Sequence, residues 1–170
     1  MRRDELQALQ QPLKVRYRED ADAARITLRA DGELGAEGVS CSVETGRALV
    51  EAGLHERTGG SGALACSGDM LLQALVACAG VTLRSVAVNR DVRLAGGRVV
   101  AEGDLDFRGT TGVDREAAVG FEEIRLRFEL DSDASEEELD ALVEATERYC
   151  VVYQTLVRGV RVDVSHTVCG

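Results

Sequence analysis

Ser67-Gly68-Asp69-Met70-Leu71-Leu72-Gln73-Ala74-Leu75-Val76-Ala77-Cys78-Ala79-Gly80-Val81-Thr82-Leu83 is the most apolar stretch of the chain. It follows a loop rich in Gly and Ser, Thr58-Gly59-Gly60-Ser61-Gly62, and predicts a helix over residues 69–88. Ser67 is the expected N-cap, and Asp69 falls in the first turn, where the helix dipole favours an acid. Leu71, Leu75, Cys78 and Thr82 recur at i, i+4, i+7 and i+11, so they share one face. The other faces are also largely apolar, which implies a helix surrounded by protein. The apolar run from Met70 to Leu83 is shorter than the ~20 residues a bilayer requires.

On either side of this helix the period changes from helical to two. Leu13, Val15 and Tyr17 alternate with basic residues, the pattern of a half-buried strand. Ile26 and Leu28 alternate again up to a turn signal at Asp31-Gly32, and a third strand is expected at Val39–Val43. After the helix, Val92 and Leu94 lead to a Gly96-Gly97 turn, and Val99, Ala101, Leu105 and Phe107 form the next strand. A polar connection over 108–120 precedes Phe121–Leu130, where Ile124, Leu126, Phe128 and Leu130 face away from Arg125, Arg127 and Glu129. Ser135 and Glu138 make a capping box that opens a second helix, whose core face is Leu139, Leu142, Val143, Thr146 and Cys150. A shorter helical piece is expected up to Val157, and Val160, Val162 and Val164 predict a final strand. The expected order βββ-α-ββ-α-β, with antiparallel strands, is α+β. One domain over 1–170 is expected, with residues 1–12 as a leader.

Composition narrows the function. The 170 residues are 45% hydrophobic and 29% charged, as in ordinary globular chains. The net charge of −10 disfavours nucleic acid and anionic membrane as partners. No apolar run follows Arg2 and Arg3, so no signal peptide is expected. Five cysteines, an odd number, then belong in a reducing compartment, and a cytoplasmic location is expected.

Two cysteines stand out by position. Cys78 lies mid-helix between small residues, and Cys150 lies near the end of the second helix. Each faces the core, so each is either a small buried hydrophobe or half of a redox pair. Thiol chemistry requires a thiolate. Cys78 is too deep in its own helix to gain from that helix's N-terminus, so an arginine is expected to supply the charge. Cys66 is a weaker candidate for a resolving thiol. Neither Cys41 nor Cys169 makes a Cys-x-x-Cys pair. His55 and His166 lack paired ligand spacing, so no metal is expected. The glycine-rich loop has no Lys-Ser/Thr after it and is not a nucleotide loop.

The segment from Ser67 to Cys78 resembles the helix opening of the OsmC-like family, the osmotically induced and organic hydroperoxide resistance proteins. Tyr149-Cys150-Val151-Val152-Tyr153-Gln154-Thr155-Leu156 resembles that family's second cysteine motif. The resemblance implies an intertwined homodimer with antiparallel sheets packed on two core helices, and sites built from both subunits. It implies a peroxidase without cofactor, in which Cys78 attacks an organic hydroperoxide and Cys150 resolves the sulfenic acid to a disulfide. A dithiol or low-molecular-weight thiol would then reduce that disulfide. By position Arg25, with Arg18 as the second choice, matches the family's activating arginine, and Asp69 matches its acid, usually Glu. Asp69 is ~13 Å from Cys78 by helical rise, so its role would be to orient the arginine. Val151 replaces the proline common after the second cysteine, and Ser67 the one before the acid. With only six aromatic residues, a hydroperoxide pocket is expected to be aliphatic. Two other readings fit the same residues: a non-catalytic dimer binding a small apolar ligand, and a redox sensor with slow turnover.

Overall fold

The computed structural model describes residues 3–34, 41–43 and 52–168, and its axis is the helix α2 (Ser67–Asn89). Leu72, Leu75, Val76, Ala79, Leu83 and Ala87 are buried along one side of it. They pack on a four-stranded antiparallel sheet of order β2-β1-β5-β6, made of β2 (Cys41–Val43), β1 (Arg25–Leu34), β5 (Gly96–Asp106) and β6 (Phe121–Asp131). The β5–β6 register sets Val99 opposite Phe128 and Ala101 opposite Leu126, so these four side chains meet the helix together. Arg125, Arg127 and Glu129 alternate to the exposed face, as the period of two requires. Two short strands, β3 (Ala52–Gly53) and β4 (Ala65–Cys66), pair in parallel ahead of α2. By length and composition α2 could cross a bilayer, but half of its apolar window is buried within the chain, as in a core helix.

The remaining helices are α1 (Arg3–Glu19), a single turn α3 (Phe107–Thr110), α4 (Glu136–Tyr149) and α5 (Val151–Arg158). The Ser135–Glu138 capping box forms with both reciprocal bonds. Leu142 and Thr146 of α4 are buried, and α4 lies beside α2 on the sheet.

Several expectations fail for identifiable reasons. The expected strand at Leu13–Tyr17 is the last part of α1. Leu13 and Tyr17 are also four apart, and as a helical pair they pack with Ala24 and Phe107. The Tyr17 hydroxyl donates to the Arg57 carbonyl and Gln10 donates to that of Thr58, so contacts with a distant loop settle the ambiguity. Asp31-Gly32 does not turn the chain: β1 runs through it, with Asp31 opposite Val100 and Gly32 opposite Val99. Gly96-Gly97 likewise lies inside β5, opposite Asp131 and Leu130. Ser67 is the first helical residue, and Cys66 holds the cap position without a side-chain bond. Val160, Val162 and Val164 form no strand within the chain and stand exposed. Of the strand expected at Val39–Val43, only Cys41–Val43 lies within the described residues.

Replacing Leu142, fully buried between helix and sheet, with Ala is expected to lower unfolding stability by about 2–5 kcal/mol. Ser135→Ala, which removes the cap, is expected to cost only about 1 kcal/mol. Urea titration of both variants checks the ordering.

Candidate active site

The chain breaks its helical course at one residue between α4 and α5. Cys150 leaves the helical region with φ −71° and ψ 111° and serves as C-cap of α4 and N-cap of α5. Its amide donates to the Thr146 carbonyl at 2.8 Å, and its carbonyl accepts from Gln154 at 2.9 Å. Its sulfur accepts the Tyr153 N–H at 3.4 Å. The side chain is fully buried. Because α5 restarts at Val151, its first amides have no partner in their own helix.

Those amides are turned on Cys78. The Val152 and Val151 amides, the Cys150 thiol and the Thr82 hydroxyl lie around its sulfur and favour the charged form. Burial alone would push the Cys78 thiol up; these four donors outweigh it and hold the thiol below its ordinary range. Cys150 shifts the other way. Burial first, and then the neighbouring Cys78 sulfur, push it up to about 11. The arrangement sets two thiols side by side, the first made more acidic by the start of α5 and the second kept protonated by burial. Cys66, Cys78 and Cys150 are all free thiols.

The positive end that acts on Cys78 therefore belongs to another helix, not to an arginine of the same chain. Thr82 was already on the Cys78 face by spacing, but the Val151 and Val152 amides carry no residue-type signal and were missed. Arg25 lies at the start of β1, its guanidinium 3.9 Å from the Asp106 carboxylate. Arg108 binds the same carboxylate at 2.6 Å and holds it below the usual carboxylate range. Arg18 lies in the last turn of α1, not on a strand. Asp69 is in the first turn of α2, where burial pushes its carboxyl up against a downward pull from His55. The His55 ring stacks on Phe107 at 5.1 Å between centroids, and its Nδ1 accepts the Arg57 amide. Cys66, His55 and Asp106 border a cleft of about 400 Å³ beside Asp69. Within one chain the structure thus sets Cys78 beside Cys150, and places Arg25 near Asp106 and Asp69 near His55, two residues of that cleft. His166 is exposed near the end of the described residues. Among the described residues, no group of three or more His, Cys, Asp or Glu is placed to hold a metal.

A groove of about 680 Å³ opens between α2, β6, α4 and α5. Leu71, Leu75, Ile124, Leu126, Val143, Leu156 and Val157 line it, together with Phe121, Phe128 and Tyr153. Its lining is thus partly aromatic as well as aliphatic. Gly103 makes room for this wall: a Cβ there would meet the Phe121 ring at 2.5 Å.

Alkylation followed by mass spectrometry is expected to label Cys78 at neutral pH, while Cys150 resists until the pH nears 11. The Cys78 reaction should fall off only as pH drops through its depressed value, because its thiolate persists to lower pH than an ordinary thiol. Val151→Pro removes one donor at a first-turn position that tolerates proline. It should slow labelling of Cys78 at neutral pH about tenfold, the worth of one hydrogen bond to a charged group.

The OsmC-like protein family matches residues 60–165, well over half of the chain and including both cysteines. A similar solved structure is that of an OsmC-like hydroperoxide resistance protein from Jannaschia sp. CCS1. The two share 18% sequence identity and a TM-score of 0.61, over 85% of this chain and 95% of that one. No curated protein gives a significant match. With its mixed fold of antiparallel sheet and helices and its match across residues 60–165, the chain belongs to the OsmC-like family.

Proposed function

We propose that this protein is a cytoplasmic thiol peroxidase that reduces organic hydroperoxides to alcohols. The observation that carries the reading is the Cys78 sulfur held by the α5 amides in contact with a protonated Cys150. The Cys78 thiolate attacks the distal oxygen of ROOH; the O–O bond breaks, and RO⁻ takes a proton to leave as ROH. Cys78 becomes a sulfenic acid. The charge that helped hold the Cys150 proton is then gone, and Cys150 can ionise and attack the sulfenic sulfur. Hydroxide leaves as water and a Cys78–Cys150 disulfide forms. Two equivalents of thiol, or one dithiol, restore both cysteines and are themselves oxidised to a disulfide.

The working unit in this reading is a homodimer. Its support is apolar surface that one chain leaves bare: Met70, Val81 and Val88 along α2, Val151 at the start of α5, and Val160, Val162 and Val164 beyond it. Met70, Val81 and Val88, spaced 11 and 7 apart, share one face of the helix, and an exposed apolar face suits an interaction surface. Arg25, oriented by Asp69, is proposed to reach Cys78 from the second copy, with Arg18 as the alternative.

One equivalent of cumene hydroperoxide should remove two hydrogens from the intact mass, mapped to a Cys78–Cys150 bridge. Cys78→Ser should abolish turnover, and Cys150→Ser should consume one equivalent and stall at the sulfenic acid. Wild-type turnover in Cys78→Ser, or both thiols unchanged after peroxide, overturns the mechanism. Sedimentation velocity should give a dimer for the wild type and a shift toward monomer for the Val81→Glu, Val162→Glu double variant. A wild-type monomer sinks the dimer reading.

A further inference from the structure

The face of α2 that carries Cys78 also builds one wall of the large groove. Leu71 and Leu75 line the groove, and Cys78 and Thr82 follow them at i+7 and i+11 on the same flank. At the same end stands Tyr153, a lining residue whose amide donates to the Cys150 sulfur. A hydrocarbon lying against Leu71 and Leu75 therefore points along the helix toward the sulfur pair. The volume of about 680 Å³ is that of a site for a ligand of drug or lipid-chain size.

The polar rim of the groove has one sign. Glu122, Glu123 and Glu147 border it, and no Lys or Arg does so among the described residues. Burial and the neighbouring Glu147 carboxylate push the Tyr153 phenol up. On β6, Arg125 is engaged with Asp104 and Glu123, and Arg127 with Glu129. A carboxylate entering with an alkyl chain would meet Glu122 and Glu147, with Glu123 already paired to Arg125 and no Lys or Arg on the rim among the described residues, a repulsion that low-dielectric walls sharpen.

We propose that this groove selects uncharged long-chain hydroperoxides, such as esterified lipid hydroperoxides, and rejects free fatty-acid hydroperoxides. The inference rests on the peroxidase reading, and its test separates the two. The kcat/KM for methyl linoleate hydroperoxide should exceed that for linoleic acid hydroperoxide at least tenfold at pH 7.5 in the same detergent. In the Glu122→Gln, Glu123→Gln, Glu147→Gln triple variant that ratio should fall at least fivefold. Equal rates, preference for the acid, or a ratio the triple variant leaves unmoved overturns the proposal. If tert-butyl hydroperoxide is not turned over either, the peroxidase reading falls instead. Calorimetric titration of the Cys78→Ser variant with methyl hydroxy-linoleate and with the free hydroxy acid then decides the groove on its own. Preference for the ester sustains it, and equal affinity overturns it. Binding of neither, as when a second copy fills the groove, also overturns it.

Discussion

Everything at the candidate site depends on one backbone break. Had α4 continued through Cys150, the Val151 and Val152 amides would have bonded to carbonyls four residues back, and Cys78 would have faced apolar side chains. Because Cys150 takes extended dihedrals, a new N-terminus forms beside a sulfur on a different helix. Two amides without partners in their own helix lie near a half-buried thiol, and the positive end they form favours the charged form that burial opposes. The Cys150 sulfur caps the same turn through the Tyr153 amide, so the residue proposed to resolve also builds the element that makes its neighbour more acidic.

That coupling orders the proposed chemistry in time. Two adjacent thiols of equal acidity would compete for the same oxidant, and either sulfur could be attacked first. Here full burial suppresses ionisation of Cys150 while the helix end promotes that of Cys78. The attacking and the resolving roles are thus assigned by environment and not by residue type. The helix N-terminus does for one thiol what burial undoes for the other.

Much of this was legible in the chain itself. The α2 span to within two residues, the core face of α4, the capping box and the short helix up to Val157 all follow from periodicity and capping chemistry. The face shared by Leu71, Leu75, Cys78 and Thr82 was also readable, and it turns out to join the groove to the sulfurs. What failed to read were signals that only distant contacts resolve. Five residues of alternation at Leu13–Tyr17 satisfy both a strand and a helix, and the bond from Tyr17 to a loop forty positions on decides for the helix. Gly96-Gly97 and Asp31-Gly32 are turn signals in isolation, but cross-strand pairing holds both pairs extended.

The hardest part to read was the source of positive charge at Cys78, because sequence logic counts side chains. An arginine was sought, and the nearest positional match, Arg25, is drawn within one chain to Asp106, which Arg108 already binds. Backbone amides carry comparable electrostatic weight when several converge, yet every residue except proline has one, so their identity says nothing of their use. Val151 is the exception that a sequence can show. Proline at that position would leave the turn intact and remove a donor, so the valine, where the family resemblance leads one to expect proline, keeps one more amide near Cys78.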